Sequence, residues 1–202
     1  MKMNVNFNYD REVSFTQEEI NLIINILNGL QEKYKDVVIN SVGDYNEFDD
    51  KHGACYIERD KAIEINQNMC SSKCGKRTLL KDFIKQRESK IKKIEKRKKI
   101  NPDLLKYIIP LDGFGMVIES CIKHEFCHAI IHKYGLDRNK EIIDIFNSLS
   151  QLEISMELCS YATNNINEFI CCCFEESFFE DSRPLSKKIV GIIDKVVFED
   201  ES

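Results

Sequence analysis

Met116-Val-Ile-Glu-Ser-Cys-Ile-Lys-His124-Glu125-Phe126-Cys127-His128-Ala-Ile-Ile-His-Lys-Tyr134 sets two histidines four residues apart inside an apolar run that ends at Gly135. The run predicts a helix over 116–134, closed by Gly135 as a left-handed cap. On a helix, residues i and i+4 stack on one face a turn apart, so the two imidazoles can share one metal ion. Glu125, beside the first histidine, is then placed to take a proton from a water that the ion activates. Val117, Ile118, Cys121, Ile122, Ala129, Ile130 and Ile131 bury this helix on several sides. A buried His-Glu-His cluster without a counter-charge is expensive, and a cation removes much of that cost. His132 continues the same face, but a straight helix carries it too far along for the same metal, which leaves it beside the site or at the surface.

Catalytic zinc ordinarily has three protein ligands and one open position. The extended His-x-x-Gly-x-x-His form is excluded, because Ile131 and Tyr134 occupy its glycine and third-histidine positions. Asp137, Glu153, Glu157, Glu168 and Glu175 are the downstream carboxylates that remain. Among them, Glu168 sits in Tyr161-Ala-Thr-Asn-Asn-Ile-Asn-Glu168-Phe-Ile-Cys-Cys-Cys-Phe174. There Asn165 can cap a helix over 166–180, with Glu168 at its third position and Cys171 and Cys172 on the same face.

Together these two segments resemble the catalytic domain of anthrax lethal factor and its relatives among the gluzincin metallopeptidases. That family pairs a His-Glu-x-x-His helix with a later Tyr…Asn…Glu-Phe-Phe-Ala-Glu segment, and Tyr161, Asn164 and Glu168-Phe169 match it with the same seven-residue step from Tyr to Glu. The resemblance covers about 53–180 and includes a short strand pair at Gly53–Asn66 ahead of the active-site helix. It implies a zincin-like α+β fold, with a small mixed sheet packed on the active-site helix. It also implies a zinc ion held by His124, His128 and Glu168, Glu125 as general base, and Tyr161 as donor to the developing oxyanion. The implied function is hydrolysis of peptide bonds in a peptide or protein substrate. The chain departs from the family at two positions: Cys172 replaces the second Glu, and Cys127 replaces the usual glycine.

Elsewhere, Thr16-Gln17-Glu18-Glu19 reads as a capping box opening an amphipathic helix over 17–34, with Ile20, Ile23, Ile24, Leu27, Leu30 and Tyr34 at helical spacing. Val37–Val42 has strand character, and Gly53–Glu58 with Lys61–Asn66 reads as a hairpin across Arg59-Asp60. Asn101-Pro102 and Pro110–Gly113 read as turns, and further helices are expected over 138–160 and 185–198. Strands early and helices late indicate α+β. The expected organisation is a single domain over 1–202: an N-terminal helix and strand in 1–52, a basic helix at 73–99 and a metal-binding core at 116–180.

The 202 residues are 43% hydrophobic and 31% charged, ordinary for a globular chain and incompatible with disorder throughout. The net charge of −5 hides an asymmetry: 73–99 carries +10, leaving −15 for the rest. Phe83, Ile84, Ile91 and Ile94 give that stretch a thin apolar stripe, so it reads as a mostly solvated helix. It also offers a handle for nucleic acid or an acidic partner, and with Cys172 it motivates an alternative function, a catalytically degenerate zincin-fold interaction module. No apolar run is long enough for a membrane helix, and Met1–Asn6 does not read as a secretory signal. Nine cysteines, an odd number with three consecutive, are expected to be reduced thiols in a cytoplasmic protein rather than a disulfide framework. Cys70-Ser-Ser-Lys-Cys74 only weakly resembles half a zinc knuckle. Cys127, Cys171 and Cys172 read as small hydrophobes filling gaps between helices. The same placement sets thiols near the metal, where oxidation would distort the site.

Overall fold

The computed structural model describes residues 3–7, 14–44, 53–73, 79–96, 114–179 and 182–199. Cys74, the turns at 101–102 and 110–113, and the basic residues 97–99 lie outside them. The described residues divide between two compact units, one drawn from 1–85 and 111–129, the other from 86–110 and 130–202.

The first unit contains the sheet. β1 (Asn4–Asn6) leads through α1 (Gln17–Lys33) to β2 (Ser41–Asp44), followed by β3 (Ala54–Ile57) and β4 (Ala62–Ile65). The strand order is β1-β2-β4-β3. β2 runs parallel to both β1 and β4, while β3 and β4 form the expected antiparallel hairpin with Ile57 opposite Ala62. The sheet is therefore small and mixed, and the class is α+β.

Local chemistry accounts for these elements. The Thr16 hydroxyl accepts from the Glu19 amide at 3.2 Å and the Glu19 carboxylate accepts from the Thr16 amide at 2.7 Å, which completes the capping box. Ile20, Ile23, Leu27 and Leu30 form the buried face of α1. The strand expected over 37–42 starts later, at Ser41, and extends to Asp44. Val37 and Ile39 are buried at 2% exposure, so their apolar alternation reflects burial in the segment that leads into β2. No sequence pattern announces β1. Asn4, Val5 and Asn6 are all exposed, so no apolar alternation marks a strand that pairs through its backbone alone. Gly43 permits that pairing, since a Cβ there would lie 2.4 Å from the Asn6 carbonyl oxygen.

α2 (Gln67–Cys70) follows β4 and fastens the sheet to the start of α1. The buried Gln67 side chain accepts from the Phe15 amide at 2.5 Å and donates to Asp44, while the Ser71 hydroxyl donates to the Ser14 carbonyl at 3.0 Å. α3 (Leu79–Lys96) is the basic helix. Lys81, Lys85, Lys92, Lys93 and Lys96 are exposed, in line with a mostly solvated helix. Lys90 departs from that reading: its ammonium donates to the Leu158 carbonyl at 2.6 Å. Burial, reinforced by Arg183, lowers its pKa from the usual 10.5 to about 8.

α4 (Phe114–Tyr134) is the long helix carrying both histidines, and Gly135 follows it at φ 62 as expected of a left-handed cap. The second unit continues with a 3₁₀ turn at Leu136–Arg138, α5 (Lys140–Ser148), α6 (Gln151–Glu157), a 3₁₀ turn at Tyr161–Thr163, α7 (Ile166–Glu176) and α8 (Pro184–Glu199). The single helix expected over 138–160 is thus several pieces. Leu149 and Ser150 are extended, and Ser150 starts α6 with a second capping box to Glu153. α8 packs along α7. Where the two meet, buried Glu176 accepts from Arg183 at 2.7 Å and from the Ser186 hydroxyl. Burial raises the Glu176 carboxyl above its usual range, and Arg183 opposes that rise.

Candidate metal centre

α4 is apolar almost all round, with Val117, Ile118, Ile122, Phe126, Cys127, Ala129, Ile130 and Ile131 buried. Phe126 packs on Tyr34, their ring centroids 6.1 Å apart. In that setting the polar residues are exceptional. His124 and Glu125 are each only 8% exposed, and Lys123, equally buried, pairs with Glu119 one turn back. His128 is half-buried, whereas His132 is exposed, which removes it from the cluster.

His124, His128 and Cys171 each offer a ligand atom, and these three atoms lie within 4.8 Å of one another. Bonds of ~2.0 Å to nitrogen and ~2.3 Å to sulfur at tetrahedral angles put ligand atoms about 3.5 Å apart. Two imidazoles and a thiolate are borderline-to-soft donors, which fit zinc or another late transition metal and do not suit magnesium or calcium. The arrangement is a possible metal site.

Cys171 stands in the middle of α7, a helix opened by Asn165, whose side chain accepts from the Glu168 amide at 3.0 Å. That cap sets the phase of the helix. Glu168 occupies its third position, half-buried, one turn before Cys171. Glu168 is not a member of the three-residue group, although it lies on the same side of the helix as the sulfur. Tyr161 lies in the 3₁₀ turn ahead of α7 and is 46% exposed. The sequence places Cys171 on the Glu168 face but offers no way to distinguish a ligand thiol from a packing residue. The sulfur's proximity to the two imidazoles makes Cys171 a candidate ligand.

No protein-family model, curated protein or solved structure matches this chain.

Proposed function

We propose that the protein is a zinc-dependent metallopeptidase that hydrolyses peptide bonds in a peptide or protein substrate. The observation that carries this reading is the convergence of the His124, His128 and Cys171 ligand atoms, with Glu125 buried beside the first histidine. The resemblance of His124–His128 and Tyr161–Phe169 to the lethal factor family supports it, and with it a zincin-like fold around the mixed sheet and α4.

His124 and His128 hold the ion, and α7 supplies the third ligand. Proximity favours Cys171, while the resemblance favours Glu168 one turn earlier. Either residue, ionised, brings one negative charge, so the centre keeps a formal net charge of +1. When bound, zinc supplies Lewis acidity, bringing the pKa of a coordinated water towards ~7 and polarising the scissile carbonyl. Glu125 takes the proton of the attacking water and passes it to the leaving amine, a role that low exposure strengthens by weakening competition from solvent. The Tyr161 hydroxyl, on an exposed turn, donates to the oxygen that gains charge.

The test is hydrolysis of a mixed peptide library by zinc-loaded protein. Glu125→Gln keeps the metal and lowers turnover by about 10²–10⁴-fold, the usual worth of a general base. Tyr161→Phe keeps the metal and lowers turnover by about 10²–10³-fold, as for a lost oxyanion donor. Turnover retained in Glu125→Gln removes that residue from the mechanism. The exposed lysines of α3 support the alternative, an interaction module for nucleic acid or an acidic protein. That reading requires binding which weakens steeply with salt and no cleavage at any zinc concentration.

A further inference from the structure

The thiols of Cys159 and Cys172 are thirteen residues apart in the chain, and their sulfur atoms are 3.6 Å apart. Cys172 lies buried on α7 between Cys171 and Cys173. Cys159 lies between α6 and the Tyr161 turn, in a stretch with no regular secondary structure. The Tyr161 turn packs against both α6 and α7, which keeps the two sulfurs in register. A disulfide needs about 2.05 Å between the sulfurs. Side-chain rotation and a small movement of 158–160 can close that gap without unwinding a helix.

We propose that Cys159 and Cys172 are a peroxide-sensitive dithiol that closes reversibly to a disulfide. Cys159 is the nucleophile, being half-buried where Cys172 is 8% exposed. The Lys90 ammonium, bonded to the adjacent Leu158 carbonyl, interacts electrostatically with it. The hydrogen bond with Cys172 also lowers the pKa of the Cys159 thiol. The Cys159 sulfur attacks one peroxide oxygen, the O–O bond breaks, and the other oxygen leaves as water. The Cys159 sulfenic acid that results is attacked by the Cys172 sulfur. The S–S bond forms as the S–O bond breaks, and the second oxygen leaves as water with the Cys172 proton. Two thiols lose two electrons, and one peroxide becomes two waters.

The bond would tie the segment two residues before Tyr161 to the residue next to Cys171. Resting on the peptidase reading, its closure repositions the oxyanion donor and the α7 ligand and slows hydrolysis.

The test treats the full-length chain with equimolar hydrogen peroxide, blocks the remaining thiols and cleaves after glutamate. This separates Leu158–Glu168, which holds Cys159, from Phe169–Glu175, which holds Cys171 to Cys173. The expected result is that the two peptides are linked and that dithiothreitol releases them. Cys159→Ser and Cys172→Ser abolish the link, and Cys173→Ser keeps it. Unlinked peptides, over-oxidation of Cys159 alone, or a link surviving Cys172→Ser would overturn the proposal. Its regulatory half is read separately. Peroxide is expected to lower hydrolysis at least tenfold in the unsubstituted protein, reversibly, and to leave Cys159→Ser unaffected; a link formed with no change in turnover overturns that half. The peptide link is read without zinc or turnover, so its failure is distinct from failure of the peptidase reading.

Discussion

The imidazole rings of His124 and His128 stand edge to face on one side of α4, their centroids 5.2 Å apart and their planes at 68°. The four-residue step alone brings them this close. The apolar surroundings of the helix bury His124 and half-bury His128, and a bound cation would offset the cost of that burial. On the proposed reading the remaining ligand comes from another element, α7.

One α7 side chain, and only one, should be indispensable for the metal. Zinc content after dialysis is to be compared in Cys171→Ser and Glu168→Gln. Loss in the first with retention in the second assigns the sulfur, together with a shell at about 2.3 Å in the zinc absorption spectrum of the unsubstituted protein. The reverse pattern, with only light atoms at ~2.0–2.2 Å, assigns the carboxylate. Full retention in both removes α7 from the centre.

Lys90 makes stability depend on pH in the alkaline range. Its pKa falls from 10.5 when unfolded to about 8 in the folded chain, chiefly because burial disfavours the charged form. Between those values the unfolded chain binds the extra proton, so Lys90 contributes stability that increases as pH rises from about 8 to 10.5. Urea unfolding across that window should show Lys90→Met lacking the gain. Identical slopes for the two proteins would show that the ammonium is not desolvated.

Gly43 should not tolerate a side chain. Alanine there puts its Cβ 2.4 Å from the Asn6 carbonyl oxygen, and that contact is with backbone, which cannot rotate away. Gly43→Ala is expected to detach β1 from β2 and cost about 1–3 kcal/mol by overpacking, with faster hydrogen exchange at the β1–β2 ladder amides. Unchanged stability and protection would place β1 elsewhere.

What the sequence discloses follows from how local each signal is. Thr16 and Glu19 lie three residues apart and find each other, so the start of α1 is legible to the residue. His124 and His128 are legible for the same reason. β1 is not, because Asn4-Val5-Asn6 buries nothing and pairs only through its backbone. The break at Leu149–Ser150 is concealed because apolar spacing continues across it, although Ser150 followed by Glu153 was a signal available to be read. Cysteine is the hardest case. A thiol looks like a small hydrophobe until a fold sets it beside two imidazoles, as with Cys171, or beside another thiol, as with Cys159 and Cys172. Lys90 is similar: it turns inward where the other described lysines of 73–99 are exposed, and nothing in the charge pattern singles it out.

The most direct measurement is zinc stoichiometry by elemental analysis after exhaustive dialysis, on the unsubstituted chain and on His128→Ala. The account predicts one zinc per chain in the first and a loss of nearly all of it in the second, with the fold retained by circular dichroism. An unsubstituted chain that holds no zinc, or a His128→Ala variant that keeps its full complement, would contradict it.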